Sequence, residues 1–123
     1  MRALIVDDSR FIRDYLTSLL KAHGLECTAA ENGQAGLQCL GCSGPYDVAL
    51  VDWNMPVMGG LEMVKAVRGD PKLKTVKILM VTAEAENRFI EAALNAGVDE
   101  YLMKPFDESG LMEKLEMIGV LPN

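Results

Sequence analysis

The chain predicts an α/β fold, a single parallel sheet covered by helices on both faces and joined by right-handed crossovers. Three observations predict it. Short apolar runs alternate five times with helical apolar periodicity. The connections between them are short, and no linker or low-complexity stretch divides the chain. The composition, 50% hydrophobic and 24% charged over 123 residues, suits one globular domain with one hydrophobic core.

Ala3-Leu4-Ile5-Val6 reads as the first strand and ends at Asp7-Asp8-Ser9. Ser9 is an N-cap candidate, because Phe11, Ile12, Tyr15, Leu16, Leu19 and Leu20 follow at helical spacing. Gly24 closes that helix. Glu26 to Ala30 is a weaker strand, and Asn32-Gly33 turns it into a second helix over roughly Gln34 to Leu40. The cluster from Gly41 to Pro45 is a loop.

Val48-Ala49-Leu50-Val51 is the most apolar run, as expected of a strand buried on both faces. It stops at Asp52, and Pro56 forbids a regular continuation. Leu61, Val64, Lys65 and Val67 suggest a third helix ending near Gly69, and Asp70-Pro71 begins a loop. Val76 to Val81 is the fourth strand and stops at Thr82. A fourth helix is expected from about Glu84 to Gly97, with Phe89, Ile90, Ala93 and Leu94 on one face. Val98 to Met103 is the fifth strand and leads into Lys104-Pro105. Asp107 or Ser109 then caps a last helix carrying Leu111, Leu115 and Ile118.

Bulk properties exclude several function classes. A net charge of −6 argues against direct DNA binding, which needs a basic face. No apolar run approaches the roughly 20 residues of a membrane helix, so no membrane insertion is expected. Asp7-Asp8 interrupts the first apolar run too early for a signal peptide. A cytoplasmic location is therefore expected. The three cysteines give no disulfide framework.

The polar residues that terminate strands carry the functional signal. Asp7 and Asp8 end the first strand, Asp52 the third, Thr82 the fourth and Lys104 the fifth. In a parallel sheet these ends share one edge, where open α/β sheets bind ligands. Singly, each has an ordinary explanation: a turn or cap for the acids, an N-cap for Thr82, a solvated loop charge for Lys104. Together they form a site. Three crowded carboxylates repel unless a cation joins them, and all-oxygen donors select a hard ion such as Mg²⁺. A hydroxyl and an ammonium beside them suit a phosphoryl group, with Asp52 as nucleophile forming an aspartyl phosphate. There is no glycine-rich phosphate loop, so no nucleotide is implied.

These residues resemble a family. Asp7-Asp8, Asp52-Trp53-Asn54-Met55-Pro56 with Gly60, Thr82-Ala83-Glu84-Ala85, Ala96-Gly97 and Tyr101 followed by Lys104-Pro105-Phe106 are together similar to the receiver domains of two-component response regulators. The likeness runs over essentially the full length and is greatest to the single-domain chemotaxis members. It implies a flavodoxin-like (βα)5 fold with strand order 2-1-3-4-5. It also implies one receiver domain over residues 1–123 without an output domain, expected to be a monomer. By this resemblance Asp52 accepts the phosphoryl group from a sensor histidine kinase, aided by Mg²⁺ (or Mn²⁺). Asp8 ligates the metal directly, Asp7 acts mainly through water, and Asn54 contributes its backbone carbonyl. Lys104 bridges to the phosphoryl group across a cis bond to Pro105. Thr82 and Tyr101 form the switch pair, and Asn54 and Glu84 tune hydrolysis of the aspartyl phosphate. The surface of helix four, strand five and helix five then binds a downstream protein, such as a flagellar motor switch or a phosphotransfer protein. For Tyr101 the residues alone say no more than a half-buried aromatic on a strand.

Two other readings of the site stay open. A Mg²⁺-dependent phosphohydrolase would also form an aspartyl phosphate, but enzymes of that kind usually place a second Asp where this chain has Asn54. A phosphotransfer intermediate or sink in another pathway fits the same residues, and a scaffold with a disused pocket fits them less well. Separately, His23, Cys27, Cys39 and Cys42 are all expected at the lower edge of the sheet, where they could complete a zinc tetrahedron. Cys39-Leu40-Gly41-Cys42 has the CxxC spacing of a redox pair, but it falls at a helix C-terminus, where the dipole disfavours the thiolate.

Overall fold

A computed structural model describes residues 1–120. The elements are β1 (Arg2–Val6), α1 (Arg10–Ala22), β2 (Glu26–Ala30), α2 (Gly33–Cys42), β3 (Val48–Val51), α3 (Gly60–Arg68), a 3-10 turn (Pro71–Leu73), β4 (Lys77–Thr82), α4 (Asn87–Ala96), β5 (Glu100–Met103) and α5 (Glu108–Met117). The five strands pair in parallel in the order β2-β1-β3-β4-β5. That is the architecture and order expected.

Strand periodicity divides the core in two. Leu4, Val6, Ala49, Val51, Ile78 and Met80 point to the face covered by α2, α3 and α4, where Leu40, Met63, Val64, Val67 and Ala93 meet them. Their neighbours Ala3, Ile5, Val48, Leu50, Leu79 and Val81 point to the opposite face, against Leu16 and Leu20 of α1 and Leu111 and Leu115 of α5. The register alternates accordingly, with Leu4 beside Ala49 and Ile5 beside Leu50. Such alternation follows from the two-residue repeat of a strand. Each fully buried leucine stabilises the layers by about 1.5–3 kcal/mol. β2 is the exposed edge and has only Ala30 buried, which explains its weak sequence signal.

Caps set where the helices begin. Ser9 accepts from Ile12 N at 3.3 Å and Asn32 from Ala35 N at 2.8 Å. Asp107, not Ser109, caps α5 by accepting from Gly110 N at 2.7 Å. α4 starts at Asn87, three residues later than expected from Glu84. The Glu84 carbonyl accepts from the Tyr101 hydroxyl of β5 and its amide donates back to Thr82 Oγ, so residues 83–86 are held as loop. No helix among the described residues is long and apolar enough to cross a membrane.

Candidate functional site

The site forms where β1 and β3 run out. The ladder continues one residue past each strand, with Asp7 N donating to Ala30 O at 3.1 Å and Asp52 N to Val6 O at 3.0 Å. This fixes both aspartates side by side at one sheet edge. Asp7 is 2% exposed and Asp52 8%, whereas Asp8 faces solvent. Ser9 N donates to Asp7 Oδ1 at 2.8 Å, and the Arg13 guanidinium holds the Asp7 carbonyl at 2.7 Å. Trp53 N donates to Asp52 Oδ1 at 2.7 Å.

Lys104 reaches in from the end of β5. Its backbone N donates to Thr82 O at 2.9 Å, and the Lys104–Pro105 peptide bond is cis. Its ammonium lies 2.9 Å from Asp7 Oδ2 and 3.1 Å from Asp52 Oδ2. Burial works to lower the Lys104 pKa. The Asp7 hydrogen bond and the charges of Asp52 and Asp7 overcome it, so the ammonium is held above its ordinary value. Burial pushes the Asp7 carboxyl up, in spite of the hydrogen bond from Lys104. One carboxylate oxygen from each of Asp7, Asp8 and Asp52 lies within 4.8 Å of the others. An oxygen-only set with one exposed member fits a hard divalent cation that keeps part of its water shell. Lys104 meanwhile supplies the positive charge between two of the three acids.

The second half of the site comes from the loop after β4. Thr82, 1% exposed, ends the strand, and its Oγ accepts from Glu84 N at 3.4 Å. The Asn54 side-chain amide donates to Glu84 Oε1 at 2.9 Å, joining the loop after β3 to the loop after β4. The Tyr101 hydroxyl donates to Glu84 O at 2.6 Å. Burial, then the charges of Glu84 and Asp52, push the Tyr101 phenol up to about 12.

The loop after β3 is tightly built. Gly60 packs against the Asp52 carbonyl oxygen so closely that a Cβ would collide with it. Met58 N donates to Pro56 O at 2.7 Å, closing a γ-turn with Val57 at φ 68°. A β-branched residue in that region carries strain, and such strain concentrates at functional sites.

Asp7, Asp8, Asp52, Thr82 and Lys104 thus share one edge, with Asn54, Glu84 and Tyr101 linked around it. The proposed zinc group does not assemble. Cys27 pairs in register with Ala3 and faces the α1 side, where its thiol lies near Thr17 O. Cys39 packs into the other layer, Cys42 is exposed, and His23 meets Glu108 at 2.9 Å. The sheet separates Cys27 from Cys39. Among the described residues the three aspartates are the one group arranged to hold a metal. Sequence reasoning missed Arg13 behind Asp7 and the Trp53–Phe89 ring contact. The first could have been suspected from its place one turn into α1, but the second needs two distant loops to be docked.

Two buried aspartates and an exposed one, with a lysine and a threonine at the C-terminal edge of this sheet, define a class of signalling domain. The family model for the response regulator receiver domain matches residues 3–116, and the chain belongs to that family. Among its relatives is the chemotaxis protein CheY of Pseudomonas aeruginosa, 44% identical over 119 residues that cover 96% of this chain and 95% of that one. Its structural neighbours include chemotaxis protein CheY4 of Vibrio cholerae, with TM-score 0.89 at 35% identity over 95% of this chain and 97% of that one. Response regulator TrrA of Thermotoga maritima, solved in complex with Mg(2+)-BeF, superposes with TM-score 0.83 at 37% identity, covering 95% and 97%.

Proposed function

We propose that this chain is a phosphorylation-controlled receiver in two-component signalling, acting in chemotaxis, with Asp52 as phospho-acceptor. The observation that carries the reading is the Asp52 carboxylate at the end of β3, 3.1 Å from the Lys104 ammonium and clustered with Asp7 and Asp8. A carboxylate oxygen of Asp52 attacks the phosphorus of a phosphohistidine on a sensor kinase. The P–N bond breaks, the imidazole keeps the electron pair and takes a proton, and Asp52 becomes a mixed carboxylic–phosphoric anhydride.

Asp8 directly, Asp7 through water, Asp52 and the Asn54 backbone carbonyl would hold the metal. Mg²⁺, when bound, supplies neutralisation of phosphoryl charge. Lys104 releases one carboxylate and bonds a phosphoryl oxygen, while the Thr82 hydroxyl donates to another. As Thr82 swings over, Tyr101 and the loop after β4 repack, shifting a pre-existing equilibrium of the surface formed by α4, β5 and α5. Asn54 and Glu84, bonded across the mouth, govern how water reaches the anhydride. The output is binding of a downstream protein, such as a flagellar motor switch, in the cytoplasm. The Thermotoga relative, captured with Mg²⁺ and a beryllium fluoride that mimics phosphoryl shape and charge, supports this chemistry.

The test is phosphorylation by acetyl phosphate, with and without Mg²⁺, read by intact mass on this protein and on Asp52→Asn. One phosphoryl group gained only with Mg²⁺ and only by the unaltered protein is the expected result. Label that survives Asp52→Asn, or no label at all, would overturn the assignment.

A further inference from the structure

The charges of this chain are unevenly placed. Of its 12 basic residues, Lys65, Arg68, Lys72, Lys74 and Lys77 all fall within residues 65–77, with Asp70 as the one acid among them. The whole chain carries −6, so this stretch runs against the rest. Its last lysine opens β4, at the end of the strand opposite Thr82. Leu73 packs on the core and Val76 is buried, while Lys72, Lys74 and Lys77 beside them stand out in solvent. The backbone that carries them is pinned: Asp70 Oδ1 accepts from Lys72 N at 2.9 Å, and Arg68 donates to Val76 O at 2.8 Å. Arg68 also pairs with Asp99, which neutralises an acid on this face. Among the described residues, Lys72, Lys74 and Lys77 make no ion pair. A cleft of about 520 Å³ is lined by Arg68, Lys74, Thr75, Lys77 and Asp99, and a second of about 250 Å³ by Asp70, Lys72 and Thr75. Thr75 and Val76 line both, so the lysines border one continuous trough.

We propose that this trough docks an acidic protein segment, an extended stretch of Asp and Glu side chains laid along Lys72, Lys74 and Lys77. Charge complementarity selects the occupant. An extended chain points alternate side chains the same way, so it brings several carboxylates to lysines spread along one trough. A nucleic acid needs a longer basic track than this, and the acidic remainder of the chain repels it. From Lys77 to Thr82 the strand rises about 17 Å, beyond the screening length of about 8 Å at physiological salt. The acid cluster at the far edge therefore does not repel a ligand held here, and that ligand leaves Asp52 uncovered. The segment holds the protein whether or not Asp52 is modified.

The probe is a fluorescein-labelled decaglutamate, titrated into the full chain and followed by anisotropy at low and at physiological salt. Lys72→Gln, Lys74→Gln and Lys77→Gln together should weaken binding about tenfold at low salt. Arg10→Gln, Lys21→Gln and Arg88→Gln together give the same net charge and should change binding by less than about twofold, because they lie away from the trough. Amide shifts in the unaltered protein, which need no variant, should gather over residues 72–77. No binding at low salt, an equal loss in the two triple variants, or shifts gathered elsewhere would overturn the site. Tighter binding of a single-stranded oligonucleotide with ten phosphates would overturn the acidic protein as its occupant. Acetyl phosphate labelling of the lysine variant should match that of the unaltered protein, and a loss confined to the variant would overturn the separation from Asp52. Failure of the unaltered protein to label would count against the receiver reading alone, since the trough is tested by peptide binding.

Discussion

Tyr101 shows how much a single side chain's chemistry is set by its neighbours. Its hydroxyl is a donor to Glu84 O, and burial with two nearby carboxylates raises its pKa to about 12. The folded state thus holds the phenolic proton more tightly than the unfolded chain, whose phenols ionise near 10. The stabilisation is fully present below pH 10 and is lost as the pH rises through about 12. In an ultraviolet titration at about 295 nm, one of the three tyrosines should ionise at about 12, and Tyr101→Phe should remove that step. A titration in which no phenol ionises so late would mean that Tyr101 is not enclosed as described.

At the scale of elements, the edge of the sheet opposite the site is closed by Arg68, the last residue of α3. Its guanidinium donates to Gly97 O at 2.8 Å and Val76 O at 2.8 Å, and pairs with Asp99 at 2.8 Å. Asp99 in turn accepts from Ile78 N at 2.8 Å. One planar cation thereby ties α3, the start of β4 and the turn from α4 into β5. Arg68→Ala should lower stability by about 2 kcal/mol, since it strips partners from carbonyls and from a half-buried carboxylate. Lysine should not rescue it, because an ammonium cannot span three acceptors set in a fork. Urea midpoints give the loss. The Mg²⁺ dependence of acetyl phosphate labelling, read on the same variant, should not change, because the clamp lies away from the site.

At the scale of the whole molecule, the dominant electrostatic feature is an acid cluster in a protein of net charge −6. Lys104 balances the cluster in part. A ligand that binds the native state alone stabilises it by mass action, about 2.7 kcal/mol at a hundredfold excess over its dissociation constant. Mg²⁺ should therefore raise the thermal midpoint and a chelator should reverse the gain. Asp8→Asn should abolish most of it, since Asp8 is the exposed member of the cluster. Calorimetry of the two proteins with and without Mg²⁺ decides the matter. An equal gain in both would place the ion elsewhere.

The sequence by itself determined the α/β class, the five strands and the residues that end them. Apolar period and turn chemistry are local, and a central strand buried on both faces can hardly be read as anything else. It also carried the family, because Asp7-Asp8, Asp52, Thr82 and Lys104 recur in one pattern. Only the tertiary structure decided which of these groups touch. The ammonium of Lys104 between Asp7 and Asp52, the amide of Asn54 on Glu84 and the indole of Trp53 on Phe89 each join segments at least 30 residues apart. It also decided that Cys27 and Cys39 lie on opposite sides of the sheet, and that α4 begins late. In both cases the physical reason is the same. A side chain's face depends on strand register and helix docking, and a helix start depends on where its neighbours' hydrogen bonds go, which no local pattern records.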